Sequence, residues 1–155
     1  MKNVFDDARV FGNACVADNV HIYGNACVYG NARVFGNACV ADNAHIYGNA
    51  RVSDTADIYG NARVFGNARV FGNACVSGDS IVSTPTGCFS QLFKARTGYY
   101  TLTLTRTARN TTRFVWGCRE GDDLRQYFKD SPDYGDLAKA PLKFLEAFEL
   151  ANNVT

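Results

Sequence analysis

Arg33, Arg51 and Arg69 recur at an interval of 18 residues. The planar guanidinium fork bonds two oxygens at once, so a row of arginines suits phosphate or another oxyanion. Phe11, Tyr29, Tyr47 and Phe65 recur at the same interval, each four residues before Cys15, Arg33, Arg51 or Arg69. A row of rings facing outward serves either as a subunit interface or as a platform on which a ring-bearing ligand stacks. The two histidines, His21 and His45, are the candidates for a general base. They sit in nearly identical segments, 14–26 (ACVADNVHIYGNA) and 38–50 (ACVADNAHIYGNA), so duplication accounts for both. Six cysteines occur without a C-x-x-C spacing. No metal set emerges, and neither a metal nor another cofactor is expected.

The elements that carry these residues follow from a second period. Valine or isoleucine occupies every sixth position from Val4 to Val82. Two residues before each, from position 8 to position 80, stands alanine, with only Val20 and Ser80 departing. Glycine or aspartate, followed by a small polar residue, fills most of the gaps. A period of six is neither helical nor that of a plain strand; it fits a short strand followed by a corner. The aliphatic residue points inward and its two neighbours point outward. Alanine fits inside the corner, and Gly-Asn tolerates the positive φ that the corner needs.

This pattern resembles the hexapeptide repeat of left-handed β-helix proteins, in which three hexads complete one triangular coil. The resemblance implies a mostly β chain, a left-handed parallel β-helix of four to five coils over 1–84. On an 18-residue coil the outward residues sort into three faces. The first carries Asn3, His21, Cys39, Asp57 and Cys75. The second carries Arg9, Cys27, His45 and Arg63, with the rings of Phe11, Tyr29, Tyr47 and Phe65. The third carries Cys15, Arg33, Arg51 and Arg69. The two histidines therefore fall on different faces. Like charges about 5 Å apart in water repel by about 0.8 kcal/mol per pair. The arginines either splay into water or hold an anion at the corner between the second and third faces, with Tyr29, Tyr47 and Phe65 across it.

The repeat decays at Ser83-Thr84-Pro85-Thr86-Gly87. Residues 85–98 read as a linker, and 99–155 as a small α+β cap of ββαα order. Its expected strands are 99–105 (YYTLTLT) and 112–116 (TRFVW). Asp122 or Asp123 caps a first helix through about Lys129, and Pro141 sits at the N1 position of a second helix that runs to about Asn152. Arg96, Arg106, Arg109, Arg113, Arg119 and Arg125 enrich this segment in arginine, which suits either a structural cap or a ligand lid. Cys88 and Cys118 fall here with no legible pairing. The YTLTLT strand, the Trp116-Gly117-Cys118 step and the amphipathic helix resemble the tail of hexapeptide-repeat proteins of bacterial viruses.

A net charge of +1 leaves any electrostatic function to local patterning. No apolar run reaches the roughly 20 residues of a membrane span, and the repeat starts at once, so no signal peptide is expected. The cysteine usage points to a reducing cytoplasm, that of the host if the chain is viral. Many proteins with this repeat are acyltransferases that use a histidine base and coenzyme A; others are trimeric zinc carbonic anhydrases. The uninterrupted coils here leave no long loop to build an acceptor pocket. The expectation is a non-catalytic homotrimer that sequesters a small anionic ligand between subunits, such as a nucleotide immune signal. It has no membrane or long nucleic acid as partner. The alternatives are a coenzyme-A-dependent acyltransferase using His21 or His45 and a purely structural trimeric module.

Overall fold

From Arg9 to Val76 the hexads fold as a two-residue strand and a turn, as in Arg33–Val34, Arg51–Val52 and Arg69–Val70. The first residue faces outward and the second inward. The protein is described by a computed structural model over residues 3–17, 19–95, 97–117 and 119–154. Strands pair in parallel with those 18 residues away, so that Arg33 lies beside Arg51 and Val34 beside Val52. The result is a parallel β-solenoid of about four turns with three sheets. Its interior is a stack of valine, isoleucine and alanine with essentially no solvent contact from Val20 to Val82. Alanine is small enough for the corner, and Val20, one of the two departures, is accommodated there fully buried.

The turns are held by backbone left-handed at one position per hexad. Gly12, Gly24, Gly30, Gly36, Gly48, Gly60, Gly66, Gly72 and Gly78 have φ between 61° and 75°. Asp6, Asp42 and Asp54 take the same place at φ 56–63°. Each of these carboxylates accepts the amide N–H of the glycine one coil on: Gly24 at 3.1 Å, Gly60 at 3.0 Å and Gly72 at 2.8 Å. The bond offsets the cost of a side chain in left-handed backbone, which is about 1–2 kcal/mol. Asp42→Ala keeps the strain and loses the acceptor. It is expected to cost about 1–3 kcal/mol in urea unfolding, whereas Asp42→Gly, which relieves the strain as it loses the bond, costs less.

The cap continues one solenoid face. Strand Gly98–Thr107 runs antiparallel to the last coil strand, Ser80–Val82, and joins its sheet. Its threonines and leucines alternate. Thr103 and Thr105 face the solenoid end, where Thr103 Oγ1 accepts the Cys75 amide N–H at 3.0 Å and the Thr105 and Ser80 hydroxyls bond at 2.7 Å. Leu102 and Leu104 face a second core with Phe114, Trp116, Phe128, Leu145 and Phe148. The threonine face thus satisfies an edge that would otherwise be left open.

Three expectations for this region need correction. Residues 85–98 are not a linker: Cys88–Ala95 is a strand paired with Gly98–Thr107 over its whole length. It is an edge strand with Gln91 and Leu92 exposed, so its hydrophobic pattern is broken. With Arg119–Gly121 also a strand, the cap holds four antiparallel strands before its helices, not two. The last helix spans Lys139–Asn152, so Pro141 is its third residue, still in the first turn where a missing N–H costs nothing. Asp123 caps helix Leu124–Lys129 by accepting the Gln126 N–H. Arg96 and Cys118 lie outside the described residues.

Arg113 locks cap to solenoid. Its guanidinium lies over Gly78, bonds Ser77 Oγ at 3.3 Å, and pairs with Glu120 at 3.3 Å and Asp122 at 3.0 Å. Arg113→Ala leaves two carboxylates without their cation. The expected loss is about 1–2 kcal/mol, a lower urea midpoint, because both carboxylates remain partly solvated.

Candidate functional site

The third face positions the arginines. Cys15, Arg33, Arg51 and Arg69 are successive parallel neighbours, each exposed at the first position of its strand. The inward Val34, Val52 and Val70 anchor the rungs, so the row inherits the pitch of the core. Among the described residues none of the three arginines forms an ion pair. Beside them runs a second row. Asn13 donates to Asn31 and Asn31 to Asn49, both at 3.4 Å, through side-chain amides. Together Asn31, Asn49, Asn67, the three arginines and Pro85 line an open groove of about 330 Å³. Among the described residues no carboxylate lines it.

The asparagines were not singled out from the sequence, where they read as turn residues. Their signal is the same 18-residue interval as the arginines. The rings of Tyr29, Tyr47 and Phe65 do not line the groove. With Phe11 they stack on one another at centroid distances of 4.9–5.0 Å and interplanar angles of 1–5°. Each such pair contributes about 0.5–1.5 kcal/mol beyond its burial. Burial raises the Tyr29 pKa above its ordinary value, so the phenol stays neutral. The asparagine row thus stands in the turn between the arginines and a self-stacked ladder whose rings do not line the groove.

The histidines lie apart. His21 is exposed beside Cys39 on the first face, and His45 lies between Cys27 and Arg63 on the second, its ring edge-on to Tyr29. On the first face Cys39 Sγ–H donates to Tyr23 Oη at 3.3 Å, and this bond leads the causes that raise the Tyr23 pKa to about 12. Burial pushes the Cys88 thiol up to about 12, so it is protonated at neutral pH.

A family model described as the YdcK beta solenoid repeat matches residues 56–70 and 68–84. No curated protein and no solved structure matches the chain. The family match covers the last hexads of the solenoid, Asn67 and Arg69 of the groove among them, and none of the cap.

The cap holds a larger concavity, about 400 Å³, lined in part by Tyr100, Trp116, Arg119, Asp130 and Tyr134. Among the described residues its walls mix Arg119 with the carboxylates of Asp130 and Asp133, unlike the groove. Trp116 Nε1 is buried there without a hydrogen-bond partner, and its ring meets Phe128 at 5.0 Å in a T-shaped contact. Two of the cap arginines, Arg113 and Arg125, are taken up by carboxylates of the cap itself. These pairs support a structural cap more than an anion lid.

Proposed function

We propose that the chain is a non-catalytic binding protein that holds a small anionic ligand along the Arg33, Arg51 and Arg69 groove. One observation carries the reading: three exposed arginines stand in register, one per coil, in a groove whose lining, among the described residues, includes no acid. Keeping them there costs repulsion at every rung. An oxyanion removes that repulsion and satisfies the forks. The asparagine row adds neutral donors beside the cations. Phosphate-bearing small molecules, nucleotides included, fit this chemistry.

The exposed aromatic surface supports assembly. Phe11 is 52% exposed at the open end of the stacked ladder, and Phe35 and Phe71 are exposed on the arginine face. The proposed oligomer is a homotrimer that packs the ladder against a neighbouring subunit and sequesters the ligand between subunits. The viral setting, in a host cytoplasm, rests on the resemblance of the tail alone.

The test is mass spectrometry of the small molecules released by heat from the purified protein, with light scattering for its mass. The expected result is a phosphate-bearing anion from the native chain, absent from Arg51→Glu, and a particle of three chains. Release of coenzyme A or its acyl esters overturns the binding-protein reading in favour of acyl transfer. Equal recovery of the anion from Arg51→Glu removes the groove from the account.

A further inference from the structure

The groove is longer than one anion. Arg33 pairs with Arg51 and Arg51 with Arg69, as parallel neighbours about 4.8 Å apart, so the strand positions that carry the three cations form a line of about 10 Å. They do not converge on a point. The line is also bounded. Cys15 holds the next rung beyond Arg33, and Arg69 lies on the end strand of its sheet, with Pro85 in the groove lining.

A single phosphate fills one fork or bridges two. That leaves at least one arginine unpaired and its repulsion unrelieved. A chain of linked phosphates laid along the solenoid axis gives every rung an oxyanion. The amides of Asn31, Asn49 and Asn67 run alongside the arginines. A phosphate presents oxygens on more than one side, so one chain is bonded from both rows at once. A carboxylate, with both its oxygens in one plane, serves one row.

We infer that the groove takes a linear oligophosphate, extended along the coil axis, with a capacity of three rungs. This inference rests on the anion-binding reading of the same groove. Inorganic oligophosphate and the tail of a nucleoside polyphosphate share the chemistry.

The experiment is calorimetric titration of the full chain, in metal-free buffer at fixed salt, with phosphate, pyrophosphate, tripolyphosphate and a nucleoside triphosphate. Affinity is expected to rise about tenfold with each added phosphate up to three. The salt dependence of the affinity steepens with each phosphate engaged, because more charge is screened. Position within the row matters as well. Arg51→Ala splits the line and returns tripolyphosphate to the affinity of phosphate, a loss of about 100-fold. Arg33→Ala or Arg69→Ala leaves two adjacent rungs and costs about tenfold. Cys15 shows that a small residue is accommodated at this strand position, and the chain-length series on the native protein stands without the variants. Equal affinity for tripolyphosphate and the nucleoside triphosphate assigns the ligand as the phosphate chain alone; tighter binding of the latter assigns the nucleotide source. Both support the inference. Phosphate binding as tightly as tripolyphosphate overturns it and leaves a compact anion site in the groove. No binding of any of the four overturns both the inference and the reading beneath it.

Discussion

Gly36→Ala is expected to destabilise the solenoid by several kcal/mol, while the same change at Gly72 costs about 1–2 kcal/mol. Both residues have left-handed backbone, φ 75° and 67°, so both substitutions incur the penalty of a Cβ in that region. Their surroundings differ. A Cβ on Gly36 meets the backbone N and O of Asp54 at 2.7 Å, whereas one on Gly72 meets nothing within 4 Å. The atoms struck at Gly36 belong to a neighbouring coil that is itself hydrogen-bonded, since Asn37 N–H donates to Asp54 O. Relief therefore requires two coils to separate locally, opening a core whose alanines and valines are in full contact. Urea unfolding of the two variants checks the difference. Equal losses at the two sites would mean that turn strain alone, and not the coil-to-coil distance, limits this position.

The second large effect is functional. Arg51→Glu places an acid between Arg33 and Arg69, so the row falls from three cations to a net single positive charge. A ligand anion loses one charge-assisted bond, worth about 1.5–3 kcal/mol, and gains a repulsive neighbour. The remaining forks turn toward the new carboxylate. Together these reduce anion affinity by at least about 100-fold. Stability moves the other way. Two repulsive neighbours become two attractive ones on an exposed strand position, so the melting temperature does not fall. Lost binding with unchanged or raised stability is the mark of a residue kept for a ligand. A matching fall in melting temperature would instead give Arg51 a structural role. The measurements are calorimetric titration with tripolyphosphate and a thermal melt of the same samples.

The solenoid was legible because its repeats are redundant. A period of six, multiplied by three, set the register of every outward column, and the pairings of Arg33 with Arg51 and of His21 with Cys39 follow that arithmetic. The groove was only half legible. Arginine announces its chemistry by type, whereas Asn31, Asn49 and Asn67 are of the type expected in turns, and only their shared interval marks them. The grouping of Tyr29, Tyr47 and Phe65 with the arginines came from counting along one coil. Counting places residues on a face but does not say that aromatic rings one coil apart will turn to stack on each other.

The cap was harder to read for the opposite reason. It has no repeat, and each element occurs once. Cys88–Ala95 hides its strand character because an edge strand buries only part of one face. The threonines of YTLTLT read as the polar side of a half-buried strand. In the structure Thr103 and Thr105 are buried too, with their hydroxyls spent on the open end of the last coil. A strand that is polar on a buried face is recognisable only when its partner is known.

The most direct test of the central claim is nuclear magnetic resonance of the arginine side chains during titration with tripolyphosphate. The guanidinium N–H signals of Arg33, Arg51 and Arg69 are expected to shift together and saturate at one ligand concentration, while those of Arg9 and Arg63, on the neighbouring face, stay in place. Shifts confined to Arg9 and Arg63, or of equal size at all five, would contradict a groove built from the third face.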